Sequence, residues 1–202
     1  MLGNVDLLAR FGDDPAQRHE TVAALQRTGR HVARLLDDLL LLAQAEAGWH
    51  LRELRPVALD DIFLEAYEAT QILSGGIAVR MQTCQPAQVH GDPDRLRQVF
   101  TNLIDNAVKY SAPDGIVTLD LTQHESQARV QICNSSSVIP AEALPRLFEP
   151  FFRAASAREF PGAGLGLSIV HWIVREHGGE VNVGRTPGSG VSVTVTLPTL
   201  PS

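Results

Sequence analysis

Apolar residues recur every three or four positions through residues 19–47, and every second position in several short stretches after residue 115. The chain opens on a helical pattern, "GNVDLLARFG", which ends at Gly12 before the loop "DDPAQ". A longer helix is expected from about His19 to Ala47. Its apolar positions Val22, Leu25, Val32, Leu35, Leu36, Leu39 and Leu42 step mostly by three or four, with Gly29 as a weak point and Gly48 as the stop. Two such helices make a hairpin, but the first arm is too short to cover the second. Either another chain meets that stripe or the first arm is cut. "LRELRPVALDD" reads as a linker containing Pro56, and a helix follows near Asp60–Leu73.

From there helical and strand patterns interleave. "IAVRMQ" (77–82) and "AQVH" (87–90) read as strands, and Asp92-Pro93 as a helix entrance with Asp92 as N-cap. The next helix has a core stripe of Leu96, Val99, Phe100, Leu103, Ile104 and Ala107. "IVTLDLT" (116–122) and "ARVQICN" (128–134) alternate like a strand pair, and 135–163 is rich in loop residues. The helix "LGLSIVHWIVREHGG" is closed by Gly178 and Gly179, and "EVNVGR" and "VSVTVTLP" pair around "TPGSG". Hairpin-joined strands among helices favour an α/β two-layer sandwich over a doubly wound parallel sheet.

Composition narrows the classes. Of 202 residues, 44% are hydrophobic, which supports a core and argues against disorder. A net charge of -6 argues against a general nucleic-acid binder. The two cysteines, Cys84 and Cys133, are far apart and lack metal spacing, so a reducing, cytoplasmic setting is expected rather than a disulfide framework. The longest apolar run, "LLLLA" at 39–43, is far short of the ~20 residues that cross a bilayer, and no signal peptide is evident. The chain as given reads as soluble.

Candidate chemistry begins beside the core stripe of the 93–109 helix. Gln98, Asn102, Asn106 and Lys109 recur at four, four and three residues and so share a second stripe. Asparagine is a mediocre helix former, so two of them one turn apart ask for an explanation. An amide oxygen can ligate Mg²⁺, which takes few protein ligands and several waters or phosphate oxygens. Lys109 could meet a phosphate, and Tyr110 offers an aromatic face to a base. The plain alternative is an exposed polar face. In "GAGLGLSIV" (162–170), glycines ahead of a helix let backbone N–H groups approach phosphates, or else form a flexible turn. A dinucleotide fingerprint is excluded because a loop, not a strand, leads into it. In "LFEPFFR" (147–153) the phenylalanines are expected to anchor the loop to the core. Arg153 and Arg158 either reach a terminal phosphate or are solvated.

Taken in this order, the segments resemble the catalytic domain of two-component sensor histidine kinases, in the GHKL ATP-binding superfamily. "RLRQVFTNLIDNAVKY" is similar to that family's N box, "LFEPFFR" to its phenylalanine box, "GAGLGLSIV" to its second glycine box and "GSGVSVTVTLP" to its last strand pair. The likeness runs from about residue 56 to 198. "RHVARLLDDLLLLAQAEAG" resembles the second helix of the family's dimerisation and phosphotransfer hairpin. The resemblance implies a mixed sheet backed by helices over 56–202, preceded over 1–55 by a partial hairpin. It implies ATP and Mg²⁺ as ligands, with Asn106 on the metal, Asn102 near the phosphates, Lys109 on a phosphate and Tyr110 enclosing the nucleotide. Gly162, Gly164, Leu165, Gly166 and Leu167 fall at the phosphate cradle and lid, Asn134 and Ser136 at adenine, and Arg153 or Arg158 at the γ-phosphate. ATP-hydrolysing relatives place a glutamate four residues before the metal asparagine. Asn102 stands there instead and cannot act as a general base.

Two departures accompany the likeness. The family's first glycine box reads Asp-X-Gly-X-Gly, whereas "NSSSV" puts Asn134, Ser136 and Val138 at those places. Asparagine can accept the adenine amino hydrogen bond without charge assistance, so weakened rather than absent binding is expected. The phosphoacceptor box would precede "LGNVDLL", and none of the seven histidines replaces it. His19 is followed by Glu20 but has Ala24 where that box has proline; the others read as surface or packing residues. The chain therefore reads as a truncated kinase that binds ATP without phosphorylating itself. A receiver domain of a response regulator and a second copy are the implied partners, with no nucleic acid, and with membrane contact only through other parts of a parent protein. A nucleotide-independent dimerisation module and an anti-sigma-type serine kinase are the rival readings. The second would be expected to keep the glutamate at position 102.

Overall fold

A computed structural model of the chain describes residues 15–51, 53–71, 76–135, 139–157, 160, 162–186 and 190–201. Contacts divide it into two units, Met1–Ala47 and Gly48–Ser202. The first arm of the expected hairpin lies outside the described residues. In the first unit, α1 (Pro15–Glu46) is one continuous helix, four residues longer at its start than the periodicity suggested. Val22, Val32, Leu36, Leu39 and Leu40 of its apolar positions are exposed. Gly29 does not break it, and a Cβ there would meet nothing within 4 Å. Gly29→Ala is therefore expected to stabilise α1 by about 1 kcal/mol, since only the backbone entropy of glycine is removed. Melting followed by helical circular dichroism checks this. A lower midpoint would contradict it.

The second unit begins with a strand where a linker was expected. β1 (Arg55–Ala58) pairs antiparallel with β3 (Gln88–Gly91), Pro56 opposite His90. Proline lacks a donor, so it is tolerated on the edge of a two-stranded sheet, where one side needs no partner. The main sheet contains β2 (Ala78–Cys84), β4 (Ile116–His124), β5 (Gln127–Ser135), β6 (Glu180–Thr186) and β7 (Gly190–Pro198), in the order β2-β4-β5-β7-β6. β2 runs parallel to β4, and the other neighbours are antiparallel. It is the expected mixed sheet backed by helices.

Burial alternates along the central strands, as a sheet covered on one face requires. Val117, Leu119 and Leu121 of β4 are buried, as are Ala128, Val130 and Ile132 of β5. The helices α2 (Leu59–Gln71), α3 (Pro93–Lys109) and α4 (Gly166–Glu176) make the second layer, with α3 against both α2 and α4. All six residues of the expected α3 stripe are buried, and Phe100 meets Phe63 of α2 edge-on with centroids 5.0 Å apart. Each of the Leu, Val, Ile and Phe side chains among them contributes roughly 1.5–3 kcal/mol on leaving water. Ahead of β1, Trp49 stacks on Trp172 of α4 at 6.1 Å, and Glu176 accepts hydrogen bonds from the Leu51 N–H and bonds His50 Nδ1.

Candidate active site

The site is built on α3, whose start is fixed locally. Asp92 has extended backbone angles and accepts hydrogen bonds from the N–H groups of Asp94 and Arg95, 2.9 and 3.2 Å away, and Pro93 supplies the first turn. That start sets the phase of everything downstream. Leu96, Val99, Phe100, Leu103, Ile104 and Ala107 face the core, and Asn102, Asn106, Lys109 and Tyr110 are half-buried along the neighbouring stripe. Gln98, the first member, accepts from Arg95 within its own helix. Tyr110 caps the C-terminus of α3, and Lys109 Nζ lies over its ring, 4.8 Å from the centroid.

The second half of the site arrives from 55 residues and more downstream. α4 begins at Gly166, directly beside the two asparagines. A Cβ on Gly166 would stand 3.6 Å from Asn106 Nδ2 and 3.9 Å from Asn102 Cγ. No side chain caps this helix, because its N-cap residue is the buried Leu165. Its first N–H groups therefore need another acceptor, and the helix dipole puts partial positive charge there. Asn102 Nδ2 is buried with no hydrogen-bond partner, the one such side-chain atom among the described residues. A buried donor without a partner costs about 1–3 kcal/mol, which marks the place where an acceptor belongs.

The glycine-rich approach to α4 is shaped by close backbone contacts. Gly164 has φ of +77°, and its carbonyl accepts the N–H of Phe151 at 3.0 Å. A Cβ there would stand 2.9 Å from both Phe151 C and Phe152 O, so the packing as well as the conformation requires glycine. Gly162 faces Lys109, whose Nζ would be 2.9 Å from an added Cβ. Leu167 is half-buried in the first turn of α4.

The phenylalanine segment divides in a way its composition did not foretell. Phe148 packs near His171, and Phe152 lies under the Arg146 guanidinium at 4.3 Å. Phe151 does not anchor the loop. Its φ of +64° turns the side chain outward, leaving it 62% exposed. Arg153 donates to the carbonyl oxygens of Ala157 and Phe160. Arg158, Ser136 and Val138 lie outside the described residues.

Asn134 ends the buried row of β5 and is opposite Val117 and Val191. Strand alternation thus faces it toward the helices, at 8% exposure. One residue that spacing did not single out joins α3 to α4 at the far end. His177 follows α4, is 5% exposed, and has Nδ1 2.7 Å from the Ile173 carbonyl. Its Nε2 accepts the Asp92 N–H at 3.0 Å, which makes it the neutral Nδ1–H tautomer. Burial holds its pKa below the ordinary value, against smaller opposing effects of the Ile173 bond, Asp92 and Glu176. Nothing in the sequence near His177 points to a partner 85 residues away.

A mixed sheet under three helices, with a polar helix face meeting an uncapped, glycine-led helix start, defines a nucleotide-binding ATPase class. Residues 91–201 match the family described as histidine kinase-, DNA gyrase B-, and HSP90-like ATPase. The protein BaeS of Escherichia coli K12, named a signal transduction histidine-protein kinase, is 33% identical over 183 residues, covering 89% of this chain and 39% of that protein. A solved structure of the mycobacterial sensor histidine kinase MprB is 34% identical with a TM-score of 0.69, covering 73% of this chain and all of that one. Full-length ShkA, solved in complex with AMPPNP, is 28% identical with a TM-score of 0.75, over 94% of this chain and 40% of that one. The chain thus belongs to the histidine kinase-, DNA gyrase B- and HSP90-like ATPase family, among the sensor histidine kinases. It spans 26–40% of the length of the curated relatives it first matches.

Proposed function

We propose that residues 56–202 form the ATP-binding catalytic domain of a two-component sensor histidine kinase. In the complete protein it passes the γ-phosphoryl of ATP to a histidine outside these 202 residues, and from there to an aspartate of a response regulator. The observation that carries this reading is the unpartnered Asn102 amide at the start of α4. A phosphate group there would satisfy both the amide and the N-terminal N–H groups of the helix.

The residues fit Mg²⁺ as well as phosphate. Among the described residues no cluster of three or more His, Cys, Asp or Glu could hold a metal. Magnesium, which keeps most of its water and uses substrate phosphates, is suited to a single amide ligand of this kind. Asn106 would hold it, and the ion would neutralise charge on the phosphates during transfer. Lys109 binds a phosphate oxygen. Gly162, Gly164 and Gly166, with Leu165 and Leu167, bring backbone N–H groups to the phosphates. Asn134 accepts from the adenine amino group, and Tyr110 encloses the nucleotide. Arg153 donates to two carbonyls, which favours Arg158 over Arg153 as the contact of the γ-phosphate. With Asn102 in place of a glutamate base, the site holds ATP for transfer and hydrolyses it slowly. The exposed apolar residues of α1 are the natural seat of dimerisation. Use of ATP supports a cytoplasmic setting for the unit.

Calorimetric titration of the chain with a non-hydrolysable ATP analogue, with and without Mg²⁺, tests the reading. Binding that depends on Mg²⁺ is expected; none at millimolar nucleotide would overturn it. With ATP itself, the chain is expected to acquire no acid-labile phosphate. Such phosphate would show that one of its seven histidines is an acceptor.

A further inference from the structure

Asn134 is the polar end of an otherwise apolar inward row on β5, after Ala128, Val130 and Ile132. It is 8% exposed, and among the described residues its side-chain amide has no hydrogen-bond partner. The backbone beside it is held on both flanks. The Ala112 N–H donates to the Ser135 carbonyl at 2.7 Å, which ties the neighbour of Asn134 to the segment just after Tyr110. Ser135 Oγ accepts the Ile116 N–H at 3.1 Å. On the other flank Gly190 packs so closely that an added Cβ would stand 2.8 Å from the Asn134 carbonyl oxygen. β5 is thus pinned at this point, and the direction of the Asn134 side chain is set with it. The last torsion is less constrained, because a half-turn of an amide exchanges its oxygen with its NH₂ in nearly the same volume.

That freedom bears on the choice of base. In the nucleotide reading above, Asn134 meets the group at position 6 of the purine. Adenine carries an amino donor there, and a 6-oxopurine carries a carbonyl acceptor. An amide answers either, with Oδ1 accepting or Nδ2 donating, whereas an ionised carboxylate can only accept. We propose that Asn134 makes the site tolerant at position 6, so that it takes 6-oxopurine nucleotides, of which inosine diphosphate is the simplest probe, as well as adenine nucleotides. The proposal rests on that nucleotide reading. Each orientation of the amide makes one neutral hydrogen bond, so neither base gains the advantage that a charged partner would give it.

The test is calorimetric titration of the 202-residue chain, with Mg²⁺, by ADP and by inosine diphosphate. The two dissociation constants are expected to agree within about threefold. Asn134→Ala removes one hydrogen bond from each complex and should weaken both by the same factor, about twofold to tenfold. Asn134→Asp should keep ADP and weaken inosine diphosphate by about tenfold or more, because two acceptors then face each other. Should the buried carboxylate of that variant unfold the chain in a thermal melt, the Asn134→Ala comparison decides. Inosine diphosphate that binds the unaltered chain more than about threefold more weakly than ADP overturns the proposal while the nucleotide site stands. So does Asn134→Ala if it weakens ADP alone, or neither nucleotide. A folded Asn134→Asp variant with an unchanged ratio overturns the role of Asn134 as the reader of position 6. If the unaltered chain binds neither nucleotide with Mg²⁺, the site reading fails and the base tolerance with it.

Discussion

Asn106→Ala is expected to abolish Mg²⁺-dependent binding of ATP analogues, with a loss on the order of 100-fold or more. Removing a supporting partner at a metal site already costs 10–100-fold, and here the one proposed protein ligand is lost. Stability should move the other way. Asn106 sits in the interior of α3, where alanine is the better helix former by roughly 0.5 kcal/mol. Its Nδ2 is near Gly166, and shortening the side chain leaves the apolar stripe of α3 untouched. A variant that melts slightly higher and no longer binds nucleotide separates a ligand from a structural residue. Calorimetry beside a thermal melt reads both. If binding survives with its Mg²⁺ dependence, the amide is only an exposed polar group and the metal assignment falls.

Replacing His177 with alanine is expected to cost about 2–4 kcal/mol, the sum of a buried cavity and an orphaned donor. The ring fills space beside Gly91, where an added Cβ would stand 2.8 Å from Cδ2, and it ties the start of α3 to the end of α4. Its loss leaves the Asp92 N–H without an acceptor. The same geometry predicts a pH dependence. Protonation would put a hydrogen on Nε2, facing the Asp92 N–H, and burial already disfavours the charge. The folded pKa is therefore below the unfolded value near 6.5. The unfolded chain then takes up a proton that the folded chain refuses. The contribution of His177 is fully present above about pH 6.5 and is lost as pH falls from there toward the lowered folded value. Urea unfolding of the wild type and of His177→Leu across this window isolates the effect. The difference in stability between the two should shrink on acidification. A difference independent of pH would rule out the buried neutral imidazole.

These two residues differ in how visible they are before folding. Asn106 was legible because helical periodicity is a local property: with Asp92-Pro93 fixing where α3 starts, each later side chain has a set direction. The same logic gave the six buried residues of α3 and the strand pairs β4–β5 and β6–β7, whose partners are joined by short connections. It failed for β1. Four residues containing a proline carry too little pattern to read as a strand, and their partner β3 is about 30 residues on, so pairing could not be inferred from a turn. His177 has no local signature either. Its worth comes from one carbonyl on its own helix and one N–H at the start of α3, 85 residues earlier in the chain.

The sequence by itself determined which residues share a face: the asparagines and Lys109 on α3, the glycines ahead of α4, and the inward row of β5 that ends at Asn134. It could do so because phase within a helix or strand is set by covalent geometry and the nearest few residues. Only the tertiary structure decided that Gly166 meets Asn102 and Asn106, that Arg153 spends its donors on Ala157 and Phe160, and that Phe151 turns outward. Those outcomes depend on packing between elements far apart in the chain. There, the volume of a core and the pairing of buried polar groups select one arrangement among many that local preference allows equally.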